Sequence, residues 1–166
     1  ILIKELIPFV DGRFRTIPFR GGRAIEGFSM GGYGAVKFAL EYPHLFCSAV
    51  AYGGSGYDAS LNPAESVYNI VTANKPALDT YDVRIRLVRG VGDNTPDDNA
   101  ELKSFLDAQG IYNELVTAVP NTQHDWGDYY RNNGDVGLDF HQACFTANPA
   151  PNLTEFVYLP AIHKSP

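Results

Sequence analysis

Apolar positions along the chain alternate between two periods, and glycine and proline mark the changeovers. The opening "LIKELIPFV" carries apolar residues at helical spacing and breaks at Asp11-Gly12. "RAIEGF" predicts a short strand running into glycines, and "YGAVKFALEY" predicts a helix that stops at Pro43. "CSAVAYGG" has the continuous apolar run of a strand buried on both faces. "SVYNIVTANK" predicts a helix, "VRIRLVRGV" a β-branched strand, and "DDNAELKSFLDAQG" another helix. The ends of that helix are marked in the sequence: Thr95 suits the cap, Pro96 the first helical position, Asp97 and Asp98 the positive first turn, and Gly110 the exit. "YNELVTAV" predicts a fourth strand and "WGDYYRNNGDVGLDFHQACF" a mostly helical segment, with an irregular Pro-rich tail over residues 147–166 that wraps the surface. Strands alternating with helices imply right-handed crossovers and an α/β fold, a three-layer arrangement with a parallel sheet covered on both faces. No internal repeat or linker divides the chain, so residues 1–166 are expected to form a single domain.

Composition narrows the function classes. With 166 residues, 45% of them hydrophobic and 19% charged, the chain can bury one substantial core. Its net charge of −6, without runs of like sign, argues against nucleic acid, which is held by clustered Lys and Arg. No apolar run approaches the roughly 20 residues of a membrane span, and "ILIKELIPFV" is too short and too interrupted for a secretory signal. The two cysteines, Cys47 in an apolar strand and Cys144 on a helix, read as ordinary core residues, with a bridge between them the lesser alternative. Asn152-Leu153-Thr154 fits a glycosylation sequon. No metal or cofactor is expected, since no clustered ligand set is visible.

The chemistry is concentrated at "EGFSMGGYG", where Ser29 stands in a G-x-S-x-G frame between a strand and a helix. A strand that turns sharply into a helix strains its turn residue, and Gly27 and Gly31 are expected to remove collisions there. The serine hydroxyl would then stand at a helix N-terminus, where N–H groups stabilise a developing oxyanion, with the Met30 N–H as one donor. A phosphate-binding loop is the competing reading of such glycines. It fails because Tyr33 occupies the position where the lysine is required.

A serine nucleophile needs a base and a carboxylate that orients it. Of four histidines, His44 follows a helix in a turn, His141 lies within a helix and His163 in the tail. His124 follows the fourth strand and is thereby delivered to the carboxyl end of the sheet, where ligands of open α/β sheets bind. Asp93, directly after the third strand, is the candidate acid, with Asp98 in reserve; an Asp that merely caps a turn remains the alternative. The order Ser29, Asp93, His124 is that of α/β-hydrolases. Trp126 and Tyr57 follow the sheet's carboxyl end and are candidate walls for an acyl group or a sugar, although Trp126 reads equally well as a core anchor.

"GRAIEGFSMGGYGAVKFALEYPHLF", with "RLVRGVGD" and "PNTQHDW", resembles the C-terminal part of α/β-hydrolase esterases of the feruloyl, acetyl-xylan and esterase D group. The resemblance implies Ser29 as nucleophile, Asp93 as acid, His124 as base and the Met30 N–H as oxyanion donor. It implies hydrolysis of carboxylic esters, most readily feruloyl or acetyl esters of plant polysaccharide, and it is compatible with secretion. It also implies upstream strands and a second oxyanion donor, whereas only 28 residues precede Ser29. The elbow strand is therefore expected to be an open edge that pairs with a missing N-terminal half or another chain. The alternatives are a non-catalytic hydrolase-like scaffold, an inactive fragment, an acyltransferase or a peptidase.

Overall fold

A computed structural model describes residues 1–58 and 62–150. The sequon, His163 and the tail beyond residue 150 lie outside the described residues. The chain opens with a π-helical turn, Leu2–Leu6, that continues into α1, Ile7–Arg13. Four strands follow: β1 (Ala24–Phe28), β2 (Ser48–Tyr52), β3 (Arg84–Gly90) and β4 (Asn113–Val119). They pair in parallel in the order β1-β2-β3-β4. Between them run α2 (Met30–Glu41), α3 (Val67–Thr80) and α4 (Asn99–Ala108), and α5 (Trp126–Ala147) follows β4. The architecture is the expected α/β arrangement.

Alternation along the central strands separates two cores, because successive side chains leave a strand on opposite faces. Ala49 and Ala51 of β2 join Ile85 and Leu87 of β3 under Val36, Leu40, Val71, Leu102 and Leu106 from α2, α3 and α4. Val50 and Tyr52 join Val88, Val119 and Tyr129 on the face covered by α5. At the other side of the sheet, β1 is an edge: among the described residues no strand pairs with its outer side, and each of its residues remains partly exposed. Beside it, Leu2, Leu6, Ile7, Val10, Ile17 and Ile25 line an apolar groove.

Three expectations are corrected. Cys47 and Cys144 form a disulfide across a sequence separation of 97, with Cα atoms 6.1 Å apart. Cys47 lies one residue before β2 and Cys144 near the end of α5, so packing of that helix on the sheet brings them together. Helix α4 begins at Asn99, not at Pro96, with Asp98 at the N-cap. Thr95 is drawn away from a capping role: its N–H and hydroxyl donate to Asp93 Oδ1, at 3.0 and 2.7 Å, and its hydroxyl oxygen accepts from Arg89 at 3.0 Å. Gly31 is not required by crowding, since a Cβ there would meet nothing within 4 Å. The constraint falls on Gly27, where a Cβ would lie 2.3 Å from the Gly31 carbonyl oxygen.

Candidate active site

The strand-to-helix turn between β1 and α2 places Ser29 at φ 57° and ψ −121°, a left-handed conformation unusual for a residue with a side chain. Such strain costs on the order of 1–3 kcal/mol and persists only where surrounding structure imposes it. Here the Ser29 N–H donates to the Tyr52 carbonyl at 2.8 Å, and the Ser29 carbonyl accepts from the Tyr33 N–H as α2 begins. The close approach of Gly27 to Gly31 lets the chain reverse this tightly. Met30 is the first residue of α2, so its N–H is among the initial helical donors without an intrahelical acceptor. Its side chain is 85% exposed.

His124, in the turn between β4 and α5, bridges two groups. Its Nε2 lies 2.9 Å from Ser29 Oγ, and its Nδ1 lies 2.9 Å from Asp93 Oδ2. The ring rests against Phe28, with centroids 4.6 Å apart. Asp93 follows β3, and its side chain is wholly shielded from solvent. Besides the two Thr95 bonds on Oδ1, Tyr129 donates its hydroxyl proton to Oδ2 at 2.6 Å, and Arg89 lies 3.3 Å from Oδ1. Burial by itself would raise the Asp93 pKa, but hydrogen bonds from Tyr129, His124 and Thr95 outweigh it and hold the carboxyl well below the usual carboxylate range. Asp93 is therefore ionised at neutral pH.

The structure brings Ser29, His124 and Asp93 into one chain of hydrogen bonds and leaves the other candidates elsewhere. Asp98 instead accepts from the backbone N–H groups of Gly56 and Tyr57, at 3.1 and 2.8 Å. Tyr57 is corrected as a substrate wall: it is 0% exposed, with its hydroxyl on Asn99 Oδ1, and offers no face to a ligand. Trp126 is 65% exposed at the start of α5, which removes the core-anchor reading. His141 is buried beside Ser48, whose Oγ is 2.7 Å from its Nδ1, and His44 is exposed. Two groups escape sequence reasoning. Tyr33 lines a cleft of about 260 Å³ with Ser29, Met30, Ser55 and Gly56. Tyr129 meets Asp93 from α5; the only sequence hint is its position five residues after His124, in the first turn of the following helix.

Among the described residues no group of three or more His, Cys, Asp or Glu side chains is arranged to hold a metal, and no helix is long and apolar enough to cross a membrane. A family model for esterases matches residues 1–134, most of the chain and all three residues of the hydrogen-bonded chain.

The chain belongs to the esterase family. Esterase Rv1288 of Mycobacterium tuberculosis is 46% identical over 52 residues, which cover 31% of this esterase-family chain and 11% of the mycobacterial protein. Among solved structures, a ferulic acid esterase superposes with a TM-score of 0.67 at 21% identity, covering 86% of this chain and 60% of that one. A fluorophosphonate-binding serine hydrolase of Staphylococcus aureus, FphF, gives a TM-score of 0.69 at 20% identity, covering 87% and 62%. A ferulic acid esterase from the anaerobic fungus Anaeromyces mucronatus, in complex with ferulic acid, gives 0.62 at 17% identity, covering 89% and 53%. These likenesses establish the shared fold. The chain spans little more than half the length of each of these structures.

Proposed function

We propose that this esterase-family chain hydrolyses carboxylic esters through an acyl-enzyme on Ser29. The observation that carries the reading is the unbroken hydrogen-bond chain from Ser29 Oγ through both nitrogens of His124 to Asp93. His124 Nε2 takes the hydroxyl proton as Oγ attacks the ester carbonyl, and Asp93 holds the Nδ1–H and stabilises the imidazolium. The carbonyl oxygen, now an oxyanion, is stabilised by the Met30 N–H at the positive end of α2. His124 returns the proton to the departing alcohol, then activates the water that releases the acid.

Feruloyl or acetyl esters of plant polysaccharide are the proposed substrates. The sequence resemblance, the ferulic acid esterases among the structural neighbours and the cleft where Tyr33 and Met30 flank Ser29 support this choice. Exposed Trp126 is the proposed stacking surface for sugar. We further infer that additional chain packs along the β1 edge and brings a second oxyanion donor. The outer side of β1, unpaired among the described residues, supports this, as does coverage of only 60% of the ferulic acid esterase. Without that donor the rate would fall by about 10²- to 10³-fold.

Initial rates on methyl ferulate and 4-nitrophenyl acetate test the proposal. The expected result is turnover of at least one ester, reduced in Ser29→Ala by on the order of 10⁴-fold or more. Equal rates for the two proteins would contradict it.

A further inference from the structure

We propose that Tyr129 is a positioning residue for the His124–Asp93 pair. This rests on the reading of Ser29, His124 and Asp93 given above and extends it to a fourth residue. Tyr129 lies in the first turn of α5, fully buried, with its ring between Phe28 and Tyr52 at centroid distances of 5.7 and 6.0 Å. Its hydroxyl makes two directional bonds: it accepts from the Gly90 N–H at 2.9 Å and donates to Asp93 Oδ2 at 2.6 Å. The backbone of β3 thereby fixes the oxygen, and the oxygen fixes the carboxylate.

The same Oδ2 accepts from His124 Nδ1, so phenol and imidazole share one carboxylate oxygen. Oδ1 is occupied separately by Thr95 and faces Arg89. A carboxylate has about four lone-pair directions, and this set of donors engages both oxygens from opposite ends. Loss of the phenol frees one direction on the oxygen that orients the imidazole, and Asp93 can then rotate about the Thr95 contacts. Space around the pair is closed as well: a Cβ on Gly53, whose φ is +57°, would lie 2.9 Å from Asp93 Oδ2 and 3.0 Å from the Tyr129 hydroxyl. Burial, and then the bond to Asp93, push the Tyr129 pKa well above its ordinary value, so the phenol keeps the proton that it donates.

The charged and titratable groups facing Asp93 are Arg89 from β3, His124 from the loop before α5 and Tyr129 from α5, with Tyr52 of β2 against the Tyr129 ring. Phenol donation withdraws part of the carboxylate charge from the imidazole. Removing it strengthens the pull of Asp93 on the imidazolium, and the acid limb of the rate profile moves to higher pH.

The test is the pH dependence of fluorophosphonate labelling and of ester hydrolysis for the chain, Ser29→Ala, Tyr129→Phe and a variant with trifluorotyrosine at 129. The fluorinated phenol fills the same space and donates more strongly, which keeps the test valid where Tyr129→Phe folds poorly. Expected for Tyr129→Phe are a labelling rate and a kcat about tenfold lower, an unchanged KM, and an acid limb displaced upward. Expected for trifluorotyrosine is an acid limb displaced downward with kcat largely retained. Acid limbs unmoved in both folded variants, with Ser29→Ala unlabelled, would overturn the positioning role alone. Labelling that survives in Ser29→Ala would overturn the Ser29 reading and this role together.

Discussion

Asp93→Asn is expected to lower kcat by about 10⁴-fold while leaving KM and the fold largely intact, because in the proposed mechanism Asp93 sets imidazole tautomer and charge and touches no substrate. An amide at this position presents either a neutral oxygen or an N–H toward His124 Nδ1. In the second orientation the imidazole proton moves to Nε2, where it can no longer accept from Ser29 Oγ. Steady-state kinetics beside thermal unfolding separate this outcome from simple destabilisation. The same variant carries a pH signature. Because the Asp93 pKa is lowered on folding, its stabilising contribution is fully present above the unfolded carboxylate value of roughly 4 and is lost as pH falls through the lower folded value. Wild-type stability should therefore fall below about pH 4, and the fall should be shallower in Asp93→Asn.

Removing the Cys47–Cys144 bridge is expected to have the largest effect on stability. In the chain-entropy description, closing a loop of 97 residues restricts the unfolded ensemble by roughly 4–5 kcal/mol. For a domain of this size each kcal/mol corresponds to about 2–4 °C. The double variant Cys47→Ala, Cys144→Ala should thus melt roughly 10 °C or more below the oxidised protein, and reduction of the wild type should approach the same value. A difference of only a degree or two by calorimetry would show that the bridge adds little to what packing of α5 already supplies. Such bridges persist in oxidising compartments, which accords with the secretion that the sequence resemblance allows.

The order of elements was legible because each carries its own period and punctuation. "RAIEGF" and "CSAVAYGG" are followed by glycine exits, and the parallel order then places the ends of β1, β3 and β4 at one sheet edge. That is why the sequence points to Ser29, Asp93 and His124 together although up to 95 residues separate them. Features set by long-range contact were not legible. Cys47 and Cys144 meet through the crossing of α5 over β2, which no local pattern encodes. The true start of α4 is hidden in the sequence because Thr95 and Pro96 make a good cap and first helical position in isolation, with Asp97 and Asp98 suited to the first turn. In the fold, Thr95 is drawn to Asp93, and the Asp98 side chain makes no cap bond and holds the loop at Gly56 and Tyr57 instead. Tyr57 lies beyond the end of β2, as its position implies, but its ring turns into the core, and the inward direction of a side chain after a strand cannot be read from spacing alone.

An activated hydroxyl at Ser29, as proposed, is read by intact-mass analysis after treatment with a fluorophosphonate probe. Stoichiometric addition of one phosphonyl group to the folded chain, and none to Ser29→Ala, is expected. A folded chain that remains unmodified, or a Ser29→Ala variant that is modified equally, would contradict it.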